Sequence, residues 1–198
     1  MNQLTRSAFI TRAAGAGGAA VAAGAVAGWA VMPAAAAASE QDLAWLRFAV
    51  TAEYVSAAYY RQARRTGFFT GRDLRALERA NAAQVAHKKA FRAALTDQAE
   101  ASIEDADLEV VFPLGAFETR AGAIRLGRRI EGLLLHAYLG AVTTIADQTI
   151  RRLCAQVSAS EADQLAFLNG LDGPPVGDPF PSVHGLPTAA EGLAVYLP

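Results

Sequence analysis

Between Ser39 and Leu171 the apolar positions recur at alternating spacings of three and four, the signature of helices that each bury one stripe. Leu43, Leu46, Val50, Ala57 and Tyr60 mark the first helix, and Ser39 with Asp42 reads as its N-cap and capping-box partner. The stretch "RRTGFFTGRD", with Gly67 and Gly71, predicts a short turn. Leu77, Ala80, Phe91 and Ala94 then predict a second helix over about 74–95. A long connection follows from Thr96 to about Thr119; it carries Pro113 and Gly115, and its acidic run "EDADLE" reads as a solvated loop. Ile124, Gly127, Leu134, Tyr138, Ala141 and Ile145 predict the third helix. Ile150, Cys154, Val157 and Leu168 predict the fourth, continuous through the weak helix formers "SAS" at 158–160. Short, long and short connections between four helices describe an all-α, antiparallel four-helix bundle with one long crossover. No alternating strand pattern competes, although "LEVVFP" at 108–113 allows one short extended piece.

Each stripe is interrupted by a polar residue on its buried side. Glu53 sits in the first, Gln84 and His87 in the second, Glu131 in the third, and Glu161 with Gln164 in the fourth. The interruptions repeat: Glu131 follows Glu53 by 78 residues (131 − 53), Glu161 follows Gln84 by 77 (161 − 84), and Gln164 follows His87 by 77 (164 − 87). Tyr60 and Tyr138 each lie seven residues after a glutamate, two turns along the same face. Several pairs in one register indicate a duplicated helical hairpin.

With these positions in place, the region from about Leu43 to Leu171 resembles the ferritin-like superfamily, and within it the exported ferritin-like domain proteins of bacteria. The resemblance extends to "AYLGA" at 137–141 and to the ending "DPFPSVHGLPTAAEGLAVYLP", which implies a Pro-rich tail (172–198) and a short C-terminal helix, with Thr188 and Glu191 as its capping box. It implies two iron or manganese ions held by a Glu from one helix of each hairpin and a Glu-x-x-His from the other. Carried onto this chain, the six positions are Glu53, Gln84, His87, Glu131, Glu161 and Gln164. Four match; Gln84 stands where a bridging glutamate belongs, and Gln164 where a histidine belongs. Amides are weak ligands for these ions, so the di-metal set is degenerate. Three readings follow, in order of preference. One is a metal-free interior in which the two glutamines satisfy a vacated site. Another is a single ion at Glu53, His87 and Glu161, and the last is a working di-metal oxidase. The first makes the protein a non-enzymatic interaction or accessory subunit of a larger envelope assembly; the others make it a metal-binding protein.

Composition narrows the partners. With 18 basic and 19 acidic residues the formal net charge is −1, which gives no basic surface for nucleic acid. Cys154 is the single cysteine, so no internal disulfide or Cys-based zinc site can form. Residues 1–38 differ from the rest: Arg6 and Arg12 flank "SAFIT", an uncharged Ala/Gly-rich run fills 13–38, and Ala-x-Ala precedes Ser39. That pattern predicts an export signal of degenerate twin-arginine type, with Ser7 where the second arginine belongs, and an extracytoplasmic location. The alternative is an uncleaved membrane tether, since about 20 apolar residues span a bilayer. Loss of 1–38 leaves 16 basic residues against 19 acidic, a net charge of −3.

Overall fold

The computed structural model describes residues 5–14, 38–101, 103–173 and 181–198. Most of the uncharged run before Ala38, and residues 174–180 of the tail, lie outside the described residues. The described chain is all-helical. Helix α1 spans Arg6–Ala14, α2 Glu40–Arg65, α3 Gly71–Asp97, α4 Arg120–Thr144, α5 Gln148–Gly170 and α6 Leu186–Ala194. The bundle is α2 to α5, with the predicted crossover between α3 and α4. Among the described residues no helix is long and apolar enough to cross a membrane.

Helix α2 packs along α3 and α4 along α5, and the two hairpins meet through α2 against α4 and α3 against α5. Local chemistry sets the ends. Ser39 and Asp42 close a reciprocal capping box, as the sequence predicts. Asp42 is also buried, and its carboxylate accepts from Ala146 N–H (3.0 Å) and Asp147 N–H (3.3 Å), tying the start of α2 to the turn between α4 and α5. Beside it, Trp45 Nε1 donates to Thr144 Oγ1 at 3.0 Å. Helix α5 runs unbroken through Ser158–Ser160, with the Ser158 hydroxyl donating to the Ala155 carbonyl at 2.8 Å.

Three expectations change. Helix α6 begins at Leu186 behind an N-cap at Gly185, so Thr188 lies inside the helix and caps nothing. Pro187, which needs no N–H partner, occupies its first turn. The acidic run from Glu104 is not a wholly solvated loop. Asp105 accepts from Lys88 Nζ (2.7 and 2.8 Å) and Arg92 Nη2 (2.7 Å), pinning a short 3-10 turn, Asp105–Asp107, onto α3. The stretch 108–113 forms no strand; instead Val111 N–H donates to the Tyr196 carbonyl and anchors the crossover to the C-terminus.

Helix α1, inside the region read as an export signal, seats on α6 and α2. Phe9 is buried and stacks on Phe48 with ring centroids 6.2 Å apart, and Arg6 N–H donates to the Pro198 carbonyl at 2.9 Å. The tail crosses α4 at Gly140, where a Cβ would come within 1.8 Å of the His184 carbonyl oxygen. His184 N–H donates to the His136 carbonyl (3.0 Å) there, and the two imidazoles meet edge-on. Gly140→Ala therefore lifts the tail, at about 2 kcal/mol. Thermal unfolding is expected to show Tm lowered by ~5 °C.

Candidate metal centre

The six interrupting residues converge at the middle of the bundle. Glu53, Gln84, Glu131 and Glu161 have no solvent exposure, Gln164 is buried, and His87 alone reaches the edge of the core with a side chain 16 % exposed. Placement follows from helix phase: each residue substitutes for an apolar side chain in a stripe that faces the partner hairpin. None of them lies out in water.

Each carboxylate has its own protein donor. Tyr138 donates to Glu53 Oε1, Ser56 Oγ to Glu131 Oε1 (2.6 Å), and Gln84 Nε2 to Glu161 Oε2 (3.1 Å). The two glutamines are joined, with Gln84 Nε2 also donating to Gln164 Oε1 at 2.7 Å and Gln164 Nε2 donating to Ser160 Oγ at 3.2 Å. Gln84 thus presents its nitrogen to two acceptors at once, Glu161 Oε2 and Gln164 Oε1. Tyrosine use differs from the same-face stacking read from the sequence. Tyr138 of α4 serves Glu53 of α2, while Tyr60 of α2 faces Glu131 of α4. Each tyrosine reaches across to the other hairpin.

His87 Nδ1 lies 3.3 Å from Glu53 Oε2 and 3.2 Å from Glu161 Oε1. One donor atom from each of these three residues falls within 4.8 Å of the others. Two ligands each about 2.1 Å from one ion sit roughly 3.0–3.4 Å apart at ordinary coordination angles, so the two spacings to His87 Nδ1 fit a single ion. Glu161 Oε1 has no hydrogen bond of good geometry despite facing His87, and Glu131 Oε2 has none either. Buried oxygens of that kind suit a cation. The opposite half of the centre does not fit a second ion. There Glu131 is held by Ser56 through Oε1 and stands against Glu161, and the two amides, engaged with each other, take the places of a third carboxylate and an imidazole.

Electrostatics tell the same story from the proton side. Burial, reinforced by the charge of Glu161, raises the Glu53 carboxyl from 4.5 to about 7. Burial and the same neighbour hold Glu131 well above the usual carboxylate range. Burial alone lowers an imidazole, but hydrogen bonds and charge from Glu161 and Glu53 outweigh it and raise His87 from 6.5 to about 10. Without a metal, His87 thus serves as the internal cation. Glu53 and His87 both hold protons more tightly folded than unfolded. Their contribution is full below the unfolded values and is lost as pH rises, for Glu53 between 4.5 and about 7 and for His87 between 6.5 and about 10. Chelator-treated protein is therefore expected to melt at progressively lower temperature from pH 5 to 10 in calorimetry; a Tm that rises over that range contradicts the buried cluster.

Ser56 and Ser160 belong to this network and were not singled out from sequence. The available signal was Ser56 three residues after Glu53, a second polar interruption on one buried face. Cys154 is a buried core residue whose thiol is pushed up to about 12 by burial. Arg128 reaches the side chain of Asn169 at 2.6 Å. Among known proteins, the ferritin-like domain family matches residues 41–173. No curated protein matches the chain.

Proposed function

We propose, from the premise that this chain belongs to the ferritin-like domain family, that its bundle binds one divalent transition-metal ion, iron or manganese, through Glu53, His87 and Glu161. The observation that carries this reading is the triad of one imidazole nitrogen and two carboxylate oxygens within 4.8 Å. Two carboxylates and one imidazole match the preference of such ions for mixed nitrogen and oxygen ligands. A bound ion supplies Lewis-acid or one-electron chemistry at that point. The chain's own residues do the rest. Tyr138 holds Glu53 through its second oxygen and Gln84 holds Glu161 through its second oxygen, so both carboxylates are oriented. Gln84 and Gln164 put neutral amides in the other half, which leaves Glu131 and a shared Glu161 without the further carboxylate and imidazole a paired ion needs. Di-metal oxidase activity is therefore not part of this proposal.

A second reading has its own observation. His87 bridges Glu53 and Glu161, and every buried glutamate has a protein donor on one oxygen, which describes an interior held by an imidazolium and hydrogen bonds. In that reading the protein is a non-catalytic accessory subunit. The basic start, the uncharged run and Ala-x-Ala before Ser39 support export to the cell envelope under either reading.

Titration of chelator-treated full-length protein with Mn²⁺ or Zn²⁺ separates the two. One equivalent is expected to bind per chain. Because His87 gives up a proton on ligation, about one proton is released between pH 7 and 10, and affinity rises roughly tenfold per pH unit. Absence of saturable binding leaves the accessory reading.

A further inference from the structure

We propose that the end of the bundle carrying Val111, Leu114, Arg125 and Arg129 docks on an anionic lipid bilayer. Six large hydrophobic side chains stand exposed among the described residues, and three of them, Val111, Leu114 and Val195, belong to one region. The link is covalent and hydrogen-bonded, since Val111 N–H donates to the carbonyl of Tyr196, the neighbour of Val195. Leu114 is fully exposed. It is not on a loose loop. It sits on a turn closed by Ala116 N–H to the Pro113 carbonyl (3.1 Å) and Glu118 N–H to the Gly115 carbonyl (3.1 Å), with Gly115 at φ 77° making the reversal. An ordered turn that holds a leucine in water forgoes roughly the whole transfer free energy of that side chain, which points to a medium that receives it.

The surroundings say which medium. A cavity of about 250 Å³ opens between this turn and α4, lined by Pro113, Leu114 and Gly115 on one side and by Arg125 and Arg129 on the other. The arginines are one helical turn apart on α4, and neither has a carboxylate within ion-pair distance among the described residues. Glu118 lies beneath Gly115 and Glu109 precedes Val111 by two residues, so the positive charge is concentrated on the arginine side of the cavity. An apolar finger flanked by unpaired guanidinium groups matches a surface of phosphate headgroups over acyl chain. It matches a second protein less well, because a stable interface needs roughly 800 Å² per partner with an apolar centre and one leucine at a basic mouth does not provide it. Continuity supports the bilayer too. Arg6 N–H bonds the carbonyl of Pro198, two residues past Tyr196. Helix α1 therefore starts beside this region. The inference is independent of whether the centre binds metal.

The test uses full-length protein with Leu114→Cys carrying an environment-sensitive fluorophore; Cys154 is buried and stays unlabelled. Phosphatidylglycerol vesicles are expected to shift its emission to the blue and to expose it to quenchers placed in the acyl region, while phosphatidylcholine vesicles do neither. Arg125→Glu with Arg129→Glu is expected to weaken the response roughly 30-fold, and high salt to reverse it. The same fluorophore at Val85→Cys, exposed on α3, is expected to report nothing. An equal response at Val85 means that the uncharged N-terminal run drives binding and overturns the proposal. So does an equal response to both lipids, or a blue shift that grows with protein concentration in the absence of vesicles.

Discussion

Restoring the two missing ligands, Gln84→Glu with Gln164→His, converts a one-ion centre into a two-ion centre and makes the fold depend on metal. Gln84 Nε2 supplies hydrogen bonds to both Glu161 and Gln164. Glutamate there removes both and sets a fourth buried carboxylate 3.1 Å from Glu161. Breaking a buried charged network in this way costs about 3–5 kcal/mol, which lowers the Tm of chelator-treated protein by roughly 6–15 °C. With iron or manganese the loss is recovered, since ligands that bind only the folded state stabilise it by mass action. Calorimetry with and without metal, together with metal content, reads both effects. Equal melting temperatures in the two conditions contradict the placement of these residues around one centre.

His87→Ala has the second largest effect, and its signature differs. It removes the one nitrogen ligand and also the internal cation between Glu53 and Glu161. Metal binding is expected to be lost. Without metal, the two carboxylates face each other without the imidazolium, and the variant melts at lower temperature than the parent at pH 7, by about 3 kcal/mol of stability. The pH profile supplies the more specific readout. In the parent protein, stability falls between pH 7 and 10 as His87 gives up its proton; in the variant the His87 part of that slope disappears, while the raised Glu53 and Glu131 carboxyls keep their own. A variant whose profile falls as steeply as the parent's over this range places the titrating imidazole elsewhere.

The bundle was legible because each of its four helices keeps a strict alternation of three and four over more than four turns, the pattern of a buried stripe. Glu53, Gln84, His87, Glu131, Glu161 and Gln164 were legible for the converse reason, since each breaks that stripe at a position the other hairpin repeats. Partners across the centre were not. Periodicity fixes which residues share a face of one helix, and the tyrosine exchange depends on how the two hairpins are rotated against each other. Tyr138 therefore bonds Glu53, when its own helix offers Glu131 two turns away. Ser56 was hidden by size, since a serine in a stripe of alanines passes for a small core residue. Thr188 with Glu191 mimicked a capping box, but the start of α6 is fixed three residues earlier by Gly185 and Pro187. The acidic run looked solvated because its cations, Lys88 and Arg92, lie on α3, well before it in the chain. Helix α1 was read as a targeting segment, and no periodic signal in nine residues foretells that Phe9 packs on Phe48.

X-ray absorption at the metal edge of full-length protein loaded with iron or manganese reads the ligands of the bound ion. One imidazole together with oxygen ligands is expected around the absorber, with no second metal in its neighbourhood and with the signal abolished in His87→Ala. A metal–metal vector, or a coordination sphere without imidazole, contradicts a single ion held by Glu53, His87 and Glu161.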